Sequence, residues 1–134
     1  RIKSILLSDL TLYEKIEQFC DQYISIISQN PYLPIFILNE MHKQPSRFIM
    51  KIFGGELPDF TKFTAQVEKE VKAGKIKPIS PVHLIMNMMS LSIFPFLGKP
   101  LLSAILQIDE LQFQLAMEQR KKNIPQFIFE AIKK

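Results

Sequence analysis

The stretch Ser80-Pro81-Val82-His83-Leu84-Ile85-Met86-Asn87-Met88-Met89-Ser90-Leu91-Ser92-Ile93-Phe94-Pro95-Phe96 decides the fold. Ser80 followed by Pro81 is a helix start, because Ser caps well and a proline at the first helical position gives up an amide that would have no partner. Behind it, Leu84, Met88 and Leu91 lie along one side of a helix, and Val82, Ile85, Met89, Ile93 and Phe96 along another. A helix apolar on two sides must be covered on two sides. One cover is the domain's own core; the other is either a central place in the fold or a partner subunit. His83, Asn87 and Ser90 form a polar stripe on the same helix. Facing inward, the stripe supplies the few orienting groups a pocket needs; facing outward, it is only wetted.

Working toward the N-terminus, Gly74 reads as the left-handed cap of a more polar helix opened by Leu57-Pro58-Asp59, with Phe60, Phe63, Val67 and Val71 on its stripe. Pro45 and Gly54-Gly55 bracket a segment of about two turns, Ser46 to Phe53, with Phe48, Ile49 and Ile52 turned inward. Asn30-Pro31 repeats the cap-then-proline device and predicts a helix from Pro31 to about Lys43. Its run Leu33 to Leu38 is rich enough in β-branched and aromatic residues for a buried strand to compete. Helix is preferred because no partner strand with a hairpin turn is present. Thr11 and Glu14 form a capping box before Leu12, Ile16, Phe19, Cys20, Tyr23, Ile24 and Ile27, which keep the spacing of one helix face. Ile2, Ile5 and Leu6 already share one helical side, as expected of a segment cut from something longer.

Toward the C-terminus, Pro95, Gly98 and Pro100 are expected to end the two-sided helix, with Leu101 to Leu106 as a connector. A last helix begins near Asp109 and carries Phe113, Met117, Ile124, Phe127, Ile128, Ala131 and Ile132. Pro125 should kink it or mark a break near Lys122-Asn123. The sum is an all-α bundle of about six to seven helices in one domain spanning residues 1–134.

Composition narrows the function. Hydrophobic residues make up 47% of the 134 against 22% charged, which suffices for a core without disulfides. The net charge of +4 is spread along the chain, and only Arg120-Lys121-Lys122 and Lys133-Lys134 look like patches, the usual mark of a solvated face. The single Cys20 cannot form an internal disulfide, so a cytoplasmic address is expected. The apolar stretches are too short or too polar for a clean membrane span, and no secretory signal is present.

No catalytic constellation is found. His42 and His83 each lack a second ligand at metal spacing on their helices, and no phosphate loop, nucleophile elbow or zincin signature occurs. Acidic pairs such as Glu14 with Glu17 fall in exposed settings. The sequence therefore predicts no enzyme, no metal and no cofactor. What remains is an interior with eleven Phe, six Met and no Trp, a composition that either fills a core or makes a pliable wall for ligands of varied shape.

Asn30-Pro31-Tyr32-Leu33-Pro34-Ile35-Phe36-Ile37-Leu38-Asn39-Glu40 resembles the "NPELPRFILREL" segment of the regulatory domains of TetR-family transcriptional repressors. In order after it, Ala73-Gly74-Lys75-Ile76-Lys77-Pro78-Ile79-Ser80-Pro81 resembles that family's "xGxIRPxDP" turn. Leu91-Ser92-Ile93-Phe94-Pro95-Phe96 with Pro100-Leu101-Leu102 resembles its "GLxxFPF…RPLL" stretch. The resemblance spans essentially the whole chain, through motifs that encode caps and core rather than chemistry. It implies a C-terminal domain that forms a homodimer and binds a small apolar or aromatic inducer, meeting operator DNA only through an N-terminal helix-turn-helix domain that this chain lacks. Arg1 to Leu7 would then be the remnant of the connecting helix.

Family dimers pair their last two long helices. By that analogy the interface candidates are Leu84, Met88, Leu91, Phe113, Met117, Ile124, Phe127 and Ile128. The ligand candidates are Phe19, Tyr23, Phe36, Met86 and Phe94, joined by the stripe of His83, Asn87 and Ser90. The alternative is a helical interaction or scaffold domain without a ligand, in which the Met and Phe residues serve only core and interface.

Overall fold

A computed structural model describes residues 2–53 and 58–134, with the side chains of 49 and 51–53 excepted. Among the described residues the chain is all-α, with eight helices and no strand. They are α1 (Ile2–Leu7), α2 (Leu12–Ser28), α3 (Leu33–Glu40), α4 (Pro45–Phe53), α5 (Thr61–Lys72), α6 (Pro81–Leu97), α7 (Lys99–Leu106) and α8 (Glu110–Ile132).

α2 is the axis of the bundle. Its capping box is formed as expected: the Glu14 amide donates to Thr11 Oγ1 at 3.2 Å and the Thr11 amide to Glu14 Oε1 at 3.1 Å. The face bearing Leu12, Ile16, Phe19, Cys20, Ile24 and Ile27 is buried, and α8, α6, α1 and α5 pack around it. Lys15 is buried on this helix too, its ammonium donating to Leu6 O at 3.4 Å. α5 ends in a Schellman motif, with Gly74 at φ +72°, its amide donating to Val71 O and the Lys75 amide to Glu70 O.

Several boundaries differ from expectation, each for a local reason. Asn30 does not cap α3, whose N-cap is Tyr32; its side-chain amide instead donates to Ile26 O at 2.6 Å and closes the end of α2. α5 starts at Thr61, whose amide donates to Asp59 Oδ1 at 2.9 Å, two residues later than Pro58-Asp59 suggested. The inward positions expected of Ile49 and Ile52 lie outside the described side chains, as does Leu57 of the expected helix start, while Phe48 of α4 is half-buried.

The connector Leu101 to Leu106 is a helix of its own, α7, bent 75° from α6 at Gly98. A side chain at Gly98 would meet the Phe94 ring at 2.9 Å, so the ring would have to shift to admit one. α6 ends at Leu97 with Gly98 as its C-cap, as the group Pro95, Gly98 and Pro100 led us to expect, though Pro95 itself lies within the helix; α8 runs without a break through Pro125, and both prolines are buried. A proline amide cannot donate, so each leaves the carbonyl four residues earlier without its helical partner. For Pro95 that carbonyl is Leu91 O, and the Arg120 guanidinium of α8 donates to it through Nη2 at 2.8 Å. A donor from the neighbouring helix thus replaces the one that Pro95 removes.

Among the described residues no single helix is long and apolar enough to cross a membrane.

Candidate functional site

α6, α7 and α8 position the residues from which a site can be built. On α6, Leu84, Met88, Ser92, Pro95 and Phe96 are buried. Ile85, Met89, Leu91 and Ile93 are half-buried, whereas Val82, Met86 and Phe94 face out. The second apolar side is thus only partly covered by the chain itself. The polar stripe faces outward: His83, Asn87 and Ser90 are exposed, and the Ser90 hydroxyl turns back to donate to Met86 O at 2.7 Å.

The candidates separate on this geometry. Leu84, Met88, Phe113, Met117, Ile124 and Ile128 are buried in the chain's own core, so they cannot lie on a surface between two copies. Of the interface set, the half-buried Leu91 and Phe127, which is 64% exposed, remain at the surface. The ligand set divides as well. Phe19 is core, its ring centroid 5.3 Å from that of Tyr23 and 6.2 Å from that of Phe60. Tyr23 is half-buried, and burial raises its phenol pKa. Phe36 stacks 5.9 Å from Phe48 between α3 and α4. Met86 and Phe94 are more than half exposed on α6.

Among the described residues, three concavities beside these helices bear on the candidates. One, about 400 Å³, lies where α2 ends, α3 begins and α8 starts. Ile27, Phe96, Phe113 and Met117 line it, with Lys99 and Glu110 at its edge. The Lys99 ammonium donates to Glu110 Oε1 at 2.7 Å and sits 4.9 Å from the Phe113 ring centroid. The hydrogen bond from Lys99 holds the Glu110 carboxyl below its ordinary pKa. A second cavity, about 380 Å³, opens between the elbow and α8, with Pro95, Leu102, Leu106 and Arg120 in its wall. The third, about 220 Å³, is a groove between α6 and α8 where Asn87, Ser90, Leu91 and Phe127 converge. Of these three, this groove alone brings ligand and interface candidates together.

The basic run at residues 120–122 is spent within the fold. Arg120 caps Leu91 O. Lys121 pairs with Glu118 at 3.0 Å and Asp21 at 3.9 Å, and Lys122 with Glu17 at 3.7 Å, tying α8 to α2. Among the described residues, no three His, Cys, Asp or Glu side chains gather as a metal site. Sequence reasoning missed Lys99, Glu110 and Arg120 as wall residues. Arg120 had one available signal: a proline inside a helix announces an orphan carbonyl that some donor must meet.

No known protein-family model matches this chain, and no curated protein matches it.

Proposed function

We propose that this chain is the regulatory domain of a TetR-like transcriptional repressor, pairing with a second copy across α6 and α8 and holding a small, mostly apolar ligand. The reading rests on the exposed apolar residues of that helix pair, Phe94 and Phe127 above all, which one copy of the chain leaves in water. Soluble proteins seldom leave large apolar patches uncovered, and a two-fold contact covers the same patch on both subunits at once. Cavities of about 400 and 380 Å³ fall in the size range of small-molecule sites. In this reading, ligand acts by its differential affinity for two arrangements of the dimer. DNA is met by a separate helix-turn-helix reader in the cytoplasm, and the chain carries out no catalysis.

Native mass spectrometry of the purified chain is the test. The expected species is a dimer at micromolar concentration that falls to a folded monomer in Phe127→Glu. A wild-type monomer at that concentration would sink the reading.

A helical interaction domain is the second reading, favoured by Tyr32 and Ile35 of the α3 region, 82% and 61% exposed. It predicts capture of a foreign helix rather than self-pairing.

A further inference from the structure

The cavity between the α6–α7 elbow and α8 contains an unbalanced charge. Arg120 is half-buried in its wall and makes one hydrogen bond, to Leu91 O. Its Nε is buried and has no partner. Among the described residues no carboxylate lies within ion-pair distance of the guanidinium, whereas Lys62, Lys99, Lys121, Lys122 and Lys133 each reach one. Cys20, close enough to feel the guanidinium, is a neutral thiol and offers no counter-charge. Burial without a counter-ion is costly for a cation, and it lowers the Arg120 pKa.

The bond to Leu91 O gives this arrangement its second property. Pro95 creates the need for a donor at that carbonyl, and the bond restrains the Nη2 end of the guanidinium. A guanidinium held in place before binding loses little freedom when an anion arrives, and its fork matches a carboxylate. The rest of the wall is mostly apolar, with Pro95, Leu102, Leu106, Ile108 and Met117, and Gln119 and Asn123 are its other polar residues.

We propose that this cavity binds a small organic carboxylate with an apolar tail, the carboxylate on Arg120 and the tail along Leu102, Leu106 and Ile108. A monoanion balances the single cation; a phosphate dianion would carry excess negative charge into an apolar wall, and an amine would be repelled. The assignment deepens the regulatory reading by naming its ligand class and rests on that reading for its biological use, while the binding is testable alone.

The experiment is isothermal titration of the purified chain with octanoate, octanol and octylamine, alongside its native mass. Octanoate is expected to bind about tenfold or more tighter than octanol, the margin of a charge-assisted hydrogen bond, with octylamine weakest. Arg120→Gln should remove the preference for octanoate. Because that variant also disturbs Leu91 O, Ala116→Leu serves as the second probe: it fills the cavity from α8, leaves Arg120 in place, and should weaken octanoate and octanol alike. Equal affinity for octanoate and octanol, or no octanoate binding by an intact dimer, overturns the site and leaves the dimeric regulator standing. Dimers that dissociate in Arg120→Gln, with no octanoate bound by the wild type, would assign the counter-ion to an acidic side chain of the second copy and also overturn it. A wild-type monomer that prefers octanoate through Arg120 upholds the site and removes the regulator.

Discussion

Cys20 faces the interior between α2, α6 and α8, and burial pushes its thiol from the ordinary 9.0 up to about 11. In the window between those values the unfolded chain releases the proton and the folded chain keeps it. Stability from this group is therefore whole below pH 9 and declines as pH rises toward 11, with a slope approaching about 1.4 kcal/mol per pH unit. Urea unfolding of wild type and Cys20→Ala from about pH 8 to about pH 10.5 should show the wild type losing ground to the variant as pH rises. Taking the difference cancels other groups that titrate there, Tyr23 among them. A constant difference would mean the thiol is not buried. Lys15 has the opposite character: its ammonium is buried against one carbonyl at 3.4 Å, a long contact, and burial lowers its pKa, the Lys62 charge adding to the effect. Lys15→Met keeps the stem and removes the charge, and should raise the melting midpoint by about 2 °C at neutral pH. A fall would show that the bond to Leu6 O outweighs the cost of burying the ammonium.

At the scale of elements, helix ends that follow chemical rules were legible, and ends set by tertiary contact were not. Thr11 with Glu14 and Asp109 with Gln112 both form capping boxes, because the partner lies three residues away in the same chain segment. Gly74 was legible for a similar reason, since a left-handed residue after a polar helix is best met by glycine. A side chain there meets nothing within 4 Å, so Gly74→Ala isolates the backbone term. It should cost about 1 kcal/mol by chemical denaturation, and no change would mean that the turn relaxes out of φ +72°. The rule that proline stops a helix is local, so it did not foretell that Arg120, twenty-five positions further on from Pro95, supplies the donor that Leu91 O lacks from another helix. The same distance hid the cavity: nothing in the order of residues places Arg120 beside Leu102 and Leu106.

Over the whole molecule, periodicity told which helices are apolar but not which apolar side the chain covers for itself. α6 was expected to show Met88 to a partner, yet Met88 is fully buried and the outer side carries Met86 and Phe94. Both sides of that helix satisfy the same spacing, and only the packing of α2 and α8 against one of them settles the choice. The difference is testable with one charge in two places. Met88→Glu puts a carboxylate into the core without a partner, a cost of several kcal/mol against a stability of about 5–15, so the protein should be recovered unfolded or insoluble. Phe127→Glu puts the same charge on a residue 64% exposed, where the folded chain loses little and keeps its helical circular dichroism. If the α6–α8 face pairs two copies, that second variant alone gives soluble, folded monomers, because the charge loses its water only when the partner covers it. Folded dimers in Phe127→Glu would move the contact elsewhere, and the exposed Leu101 and Ile105 of α7 would be the next residues to charge.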